Sequence, residues 1–253
     1  MSKMQHDEAL DKMFEAVIQT IITAIHNREQ KDKVASALYA LLVREANTWR
    51  SIHVLRRHTP QELHAAFMVD AGTLLRAMFD AYLQAALIFR DPAKRVELAT
   101  RYLEFEHVER YKISQKVLRH DNLLTNQLRL SQDRASEENR LQADFDRVKG
   151  AFLKGKGGQE TRDKWYEDGL LKLATAAGRE AEYDTFVRSF CGCVHSSAFS
   201  VLNGPMVSPD HVLLLASTFS ARVAQMNVEY NEIDLGTNQL ILDELCKSWL
   251  DAD

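Results

Sequence analysis

Four prolines and ten glycines are all that punctuate 253 residues. Proline fixes φ and removes an amide donor, and glycine costs conformational entropy, so both interrupt regular structure. A chain this poor in them must run in long, unbroken elements. Abundant Ala, Leu, Glu, Arg and Gln make those elements helices. The apolar spacing agrees. Residues His6 to Asn27 repeat apolar positions at helical intervals (Met13, Val17, Thr20, Ile21, Ala24), and Lys31 to Arg57 carry a stripe of Val34, Leu38, Leu41, Leu42 and Ala46. Thr59-Pro60 reads as an N-cap with proline at the first helical position. The helix it opens runs to about Phe89 and is the most apolar of the chain. Phe67, Ala71, Leu74, Leu75, Met78, Phe79, Tyr82, Leu83, Ala86 and Leu87 place it at the centre.

Asp91-Pro92 repeats the start signal for a helix ending near Arg119. A polar helix is expected from Ser131 to Lys154, then an exposed loop at the glycine cluster Lys154-Gly-Lys-Gly-Gly-Gln. Helices at Asp168–Ala177 and Glu180–Leu202 follow, Asn203-Gly204-Pro205 stops the second, and Ser208-Pro209 starts a long penultimate one. A final helix spans Asn238 to Leu250. No useful strand-like alternation and no internal repeat is found. The fold expected is all-α: a multi-helix bundle of about eight to nine helices, one domain over 1–253, with residues 120–165 as a projecting basic arm.

Several function classes are excluded or disfavoured at once. A net charge of -4 gives no global attraction to nucleic acid or to an anionic membrane, so any such contact needs a local patch. No apolar run approaches the ~18–20 residues of a membrane span. The longest, Ala77 to Phe89, is interrupted by Asp80 and Gln84. Three cysteines, two as Cys191-Gly-Cys193, make no disulfide framework, and without a secretory leader they read as reduced thiols of a cytoplasmic protein. No phosphate-binding loop, dinucleotide fingerprint, nucleophile elbow or zinc-protease run occurs.

The chemistry that remains lies in residues 183–197. Arg188 and His195 stand seven apart in a helical run, close to two turns, so both project from one face roughly 10 Å apart along the axis. An arginine fork holds phosphate, and a histidine moves a proton at neutral pH. Ser189 and Ser196 share the same spacing on an adjacent ridge, and Tyr183 precedes the pair. The same residues equally suit a buried arginine and a satisfied core histidine. Arg76 and Asp80, four apart in the most apolar helix, either pair to anchor a neighbour or line a polar pocket with Arg188 and His195. Cys191, Cys193 and His195 lack a second ligand pair, so no metal or other cofactor is expected and the cysteines read as small core residues. Arg147, Lys149, Lys154, Lys156, Arg162 and Lys164 form a basic stretch around the glycine cluster. Such a stretch either tracks a phosphate chain or is a solvated face.

Taken together, Leu74-Leu75-Arg76-Ala77-Met78-Phe79-Asp80-Ala81, Arg101-Tyr102, Arg110-Tyr111-Lys112, Trp165, Tyr183, Arg188-Ser189 and His195-Ser196-Ser197 resemble the bacterial domain-of-unknown-function family 5677, over roughly residues 70–205. Members more often carry Glu where this chain has Asp80. That family name implies no activity. A looser resemblance is to the HEPN superfamily, whose RNases carry Arg-x4–6-His on a helix of a compact bundle. Arg188 and His195 match at the long limit, with Ser189 where Asn, Asp or His is usual. This resemblance implies a homodimer closing over RNA, cleavage by 2′-OH attack without metal, and a role in stress response or phage defence.

The leading expectation is therefore a metal-independent endoribonuclease. Arg188 and His195 are catalytic, with Ser189, Ser196, Tyr183, Arg76 and Asp80 in support and the basic stretch holding RNA. The alternative is a non-catalytic helical binding or interaction module whose Arg/Asp/His cluster is structural or holds a ligand. A hydrolase using Ser196 or Cys191 with His195 lacks any oxyanion or acidic partner in the sequence.

Overall fold

The computed structural model describes residues 8–26, 32–119, 134–155, 158–166, 169–186 and 208–247. Among these the protein is all-α. Its helices are α1 (Glu8–His26), α2 (Lys33–His58), α3 (His64–Arg90), α4 (Arg95–Arg119), α5 (Arg134–Val148), α6 (Leu170–Ala177), α7 (180–186), α8 (Pro209–Asn231) and α9 (Gln239–Cys246). The one extended pairing among the described residues is an antiparallel bridge between Leu153 and Thr161.

Two compact units emerge, one of residues 1–96 with 168–253 and the other of residues 97–167. In the first, α2, α3 and α8 pack on one another and form the core, α1 and α9 lie against α8, and α6 lies against α3. Helices α2 and α8 run antiparallel: the Trp49 indole N–H donates to Ser217 Oγ at 2.9 Å, and Asn227 Nδ2 donates to the Leu38 carbonyl at 3.1 Å. The expected stripe of α2 is buried throughout. In α1 the stripe is turned from the expected one. Phe14, Val17, Ile18, Ile21 and Ile25 face inward, whereas Met13 is 46% exposed. The spacing of the larger branched and aromatic residues, which remove the most apolar area from water, sets the face.

Expected start signals divide into one that caps and two that do not. Ser208 Oγ accepts the His211 amide, with Pro209 in the first turn of α8, as the sequence indicates. Thr59 caps nothing; its hydroxyl donates back to the Leu55 carbonyl at 2.6 Å and closes α2. Pro60 is extended (ψ 155), so a 3-10 turn at Gln61–Leu63 intervenes before α3. Asp91 likewise makes a turn, accepting from Ala93 N through Oδ1 and from Lys94 N through its carbonyl, and α4 begins only at Arg95.

Helix α3 is deeply buried, as its composition demands, but α8 is enclosed to the same degree. From Val212 to Val228 only Leu214 and Gln225 escape full burial. Ser217, Thr218, Ser220, Arg222 and Asn227 are therefore interior polar groups. Gly178, at φ 73, ends α6 in a left-handed cap that the Arg90 guanidinium covers, donating to the Ala176 carbonyl at 2.6 Å. A β-carbon there would meet the left-handed penalty and lie 3.3 Å from that guanidinium. This cap fixes the point from which α7 departs.

The second unit has its own small core. Tyr111 stacks on Phe145 (4.1 Å between centroids), Phe105 meets Phe152 edge-on (5.2 Å), and Tyr102 meets Trp165 (5.7 Å). The chain on either side of the glycine cluster is paired: Lys154 N donates to Glu160 O and Arg162 N to Phe152 O. Lys112 Nζ fastens that segment to α4 by donating to the Thr161 and Arg162 carbonyls and to Asp163.

Candidate functional site: an interior polar network and an open cavity

Arg188, His195, Ser189 and Ser196 lie outside the described residues, as do Cys191, Cys193 and Lys156. Tyr183 is half-buried on α7, the described root of the helix expected to carry the pair. Arg76 and Asp80 are half-buried on α3. Asp80 is close enough to α2 for its charge to act on Glu45, an acidic neighbour that helical spacing does not connect with it. Among the described residues no cluster of three His, Cys, Asp or Glu has metal-holding geometry.

The basic residues of the second unit are drawn into local ion pairs. Arg147 reaches Glu104 at 3.5 Å and Asp144 at 3.7 Å and contacts His107, while Lys149 pairs with Asp146. Lys154 pairs with Glu160 at 3.6 Å and Asp163 at 3.4 Å. Arg162 donates to the Leu153 carbonyl at 3.2 Å, and the Lys164 ammonium lies 5.3 Å from the centre of the Tyr166 ring. Hydrogen bonding and charge from Lys112, then Lys154, hold the Asp163 carboxyl below its usual range.

Inside the first unit, three elements converge on Glu182 of α7. Arg222 of α8 donates to Glu182 Oε1 at 2.7 Å and to the Tyr82 hydroxyl at 3.2 Å. Arg179 donates to the same carboxylate oxygen at 3.2 Å, and the Tyr82 hydroxyl makes a long contact with it at 3.4 Å. Both guanidinium carbons lie 5.8 Å from the Tyr82 ring centre, Phe79 and Phe219 pack on that ring, and Phe186 packs on both of them. Burial, then the adjacent Glu182 charge, pushes the Tyr82 hydroxyl well above its usual value, so it stays neutral and serves as a donor. Arg222 and Glu182 are 8% and 6% exposed, and an ion pair so enclosed holds because each charge has the other and further hydrogen bonds from Arg179 and Tyr82.

Glu45 is a different case. It is fully buried, and among the described residues neither carboxylate oxygen has a hydrogen-bond partner. Burial first, against the lowering effect of Arg44 and with the raising effect of Asp80, drives its carboxyl well above the ordinary range. The folded protein thus favours the neutral acid over the carboxylate more than the unfolded chain does.

An open cavity of about 710 Å³ lies on the far side of α2, lined by α1, α2 and the first turns of α8. Its floor is Trp49 and Leu213, with Val54 at the edge. On one wall His53 Nδ1 meets Asp11 Oδ2 at 3.2 Å, and the Trp49 ring lies 4.3 Å from the imidazole. Ser217, fixed by Trp49, makes a long 3.5 Å contact to Asp11 Oδ1. On the other wall Arg50 grips Glu15 through Nε and Nη2 at 2.8–3.1 Å. Partial burial acts to raise the Glu15 carboxyl, but hydrogen bonds from Arg50 and Gln19 and the charges of Arg50 and His53 leave it below its usual value. Lys12, Arg56 and Arg57 complete the lining.

None of Glu45, Glu182, Arg222, Asp11 or His53 stood out from the sequence. One signal was available for Arg222: a charge inside a helix that is otherwise apolar or small, the same argument that singled out Arg76 and Asp80. For Asp11 and His53 there was none, because their partners come from distant segments.

An all-α protein with charges locked in its core and a cationic cavity on its flank is the class these features define. The chain belongs to DUF5677, a family of unknown function, whose model matches residues 32–206. That match covers α2 to α7 and the expected Arg188–His195 segment; α1, with Asp11, Lys12 and Glu15, precedes it. No curated protein and no solved structure matches the chain.

Proposed function

We propose that this chain is a metal-independent endoribonuclease of HEPN-like character, acting as a homodimer in stress response or phage defence. Arg188 binds the scissile phosphate and stabilises the charge that develops on it. His195 takes the proton of the 2′-hydroxyl as that oxygen attacks phosphorus, and returns a proton to the 5′ oxygen as its bond to phosphorus breaks. The products are a 2′,3′-cyclic phosphate and a 5′-hydroxyl end. Arg76, Asp80, Tyr183, Ser189 and Ser196 position the pair.

The observation that carries this reading is the Arg188-x6-His195 spacing immediately after α7. The root of that helix is tied by Glu182 to Arg222 and Arg179. A catalytic pair needs a rigid base, and a buried ion network at its base supplies one. RNA backbone contacts come from Arg147, Lys149, Lys154, Lys156, Arg162 and Lys164. Those among them that now hold carboxylates exchange them for phosphates, so binding weakens steeply with salt.

The test is incubation of the chain with mixed RNAs in EDTA. Cleavage by wild type that is lost in Arg188→Ala and His195→Ala, both melting near the wild-type temperature, is the expected result. No cleavage by wild type, or equal cleavage by His195→Ala, ends the nuclease reading.

A second reading, a non-catalytic helical interaction module, is favoured by one observation: the Glu182–Arg222 network is enclosed and its geometry serves packing. If the same interior continues to Arg188 and His195, their alanine variants lower the melting temperature, because each leaves a buried partner unpaired.

A further inference from the structure

We propose that the cavity between α1, α2 and α8 is a binding site for a small phosphomonoester with an apolar ring, separate from the nuclease site and independent of that reading. Its volume, about 710 Å³, falls within the range of small-ligand pockets and is too confined for a polymer to thread. The lining divides by chemistry. Trp49, Leu213 and Val54 present apolar surface that a ring can cover; Val54 is 52% exposed on a helix whose other face is core.

The charges divide as well. Arg50 is neutralised by Glu15, and Asp11 is engaged with His53, so the two carboxylates of the lining are already committed. Lys12, Arg56 and Arg57 remain. Among the described residues none of these three has a carboxylate within ion-pair distance, and Arg56 contacts only the neutral-or-cationic ring nitrogen of His64, at 3.1 Å. Three cations gathered at one opening repel one another, and a dianion placed among them relieves that repulsion while accepting their N–H donors. Guanidinium forks suit phosphate oxygens in particular. A phosphate at the rim with its ring on the apolar floor satisfies both halves of the lining at once.

The walls are fixed before any ligand arrives. Trp49 donates to Ser217, Asp11 meets both Ser217 and His53, and the His53 ring packs on Trp49. Arg50 is held on Glu15 through three contacts. Preorganisation of this kind removes part of the ordering cost of binding.

Titration calorimetry with the whole chain tests the site, using phenyl phosphate and AMP as probes, with phenol, adenosine and inorganic phosphate as their separate halves. At least one phosphomonoester is expected to bind, about tenfold or more tighter than either of its halves. The charge-reversed Lys12→Glu/Arg57→Glu variant alters two exposed side chains, so it is expected to keep its melting temperature and to lose about tenfold or more in affinity for that probe. His195→Ala is expected to bind the probe as wild type does. Failure of both phosphomonoesters to bind overturns the proposal, as does binding no tighter than inorganic phosphate. Undiminished affinity in the double variant overturns it too, and so does loss of affinity in His195→Ala, which places the probe elsewhere.

Discussion

Replacing Glu45 by Gln should change the slope of stability against pH. In the unfolded chain the Glu45 carboxyl ionises near its ordinary value, about 4.3. In the folded chain it is fully buried on α2, with no hydrogen-bond partner among the described residues and with Asp80 of α3 nearby, and its pKa lies well above that. The sign follows directly. Below the unfolded value both states are protonated and the residue brings no pH-dependent cost. Above it the unfolded state releases a proton that the folded state keeps, so stability falls as pH rises, and it continues to fall until the folded carboxyl ionises as well. The rate is roughly 1 kcal/mol for each pH unit, or roughly 2–3 kcal/mol from pH 5 to 7 while the folded group keeps its proton. Gln has nearly the shape of the neutral acid and does not titrate. Urea unfolding of both proteins across this range should give a difference curve that rises in favour of Glu45→Gln with that slope. Glu15, Asp146 and Asp163 titrate alike in both proteins and cancel. Glu45→Leu should give the same slope with a different offset, which separates titration from packing. A flat difference curve, or one that falls with pH, would show that Glu45 is ionised or hydrated in the folded chain and would refute the reasoning.

The Arg222→Met variant should lose about 3 kcal/mol in denaturant unfolding, the low end for breaking a buried pair because the more exposed Arg179 still reaches Glu182, whereas Arg222→Met/Glu182→Leu should recover a large part of that loss; strictly additive effects would mean the pair is not coupled. In the second unit, Lys112→Ala removes the donor shared by Thr161, Arg162 and Asp163. Discounted for its partial exposure, the loss should be about 1 kcal/mol, read as faster hydrogen exchange at the Lys154 and Arg162 amides with little change in α2, α3 and α8.

Helices were legible where one local signal decided the outcome. The scarcity of proline and glycine fixed the all-α class, and the stripe of Val34, Leu38, Leu41, Leu42 and Ala46 gave the buried face of α2 directly. Where two local signals competed, the reading slipped. Thr59-Pro60 and Asp91-Pro92 look identical to Ser208-Pro209 in sequence, yet only the serine caps a helix. Thr59 had a nearer acceptor in the Leu55 carbonyl, and Asp91 closed a turn of its own. In α1 the expected stripe of Met13, Val17, Thr20, Ile21 and Ala24 shares only Val17 and Ile21 with the buried face, which also carries Phe14, Ile18 and Ile25. Packing against α8 and α9 chose the face carrying Phe14 and Ile18.

The interior network escaped for a reason that periodicity cannot repair. Tyr82 and Glu182 are 100 residues apart, and Arg222 lies 140 from one and 40 from the other. Asp11 and Ser217 are separated by 206. Helical spacing reports which residues share a face, not which distant face they meet. Yet α8 carried a readable anomaly. A helix with Ser217, Thr218, Ser220, Arg222 and Asn227 among its small and apolar residues has too little hydropathy to look central, but it is buried on all sides. Such a helix reaches the core with part of its polar set answered there, Ser217 by Trp49, Asn227 Nδ2 by the Leu38 carbonyl and Arg222 by Glu182. The Thr218 and Ser220 hydroxyls go without a hydrogen-bond partner among the described residues. Glu45 stands apart in that same core because both oxygens of an ionisable group go unanswered among the described residues, where Thr218 and Ser220 leave only neutral hydroxyls so. Packing gives no return for that desolvation, so this carboxyl, raised well above its ordinary range beside Asp80 of α3, is a candidate for chemistry rather than for structure.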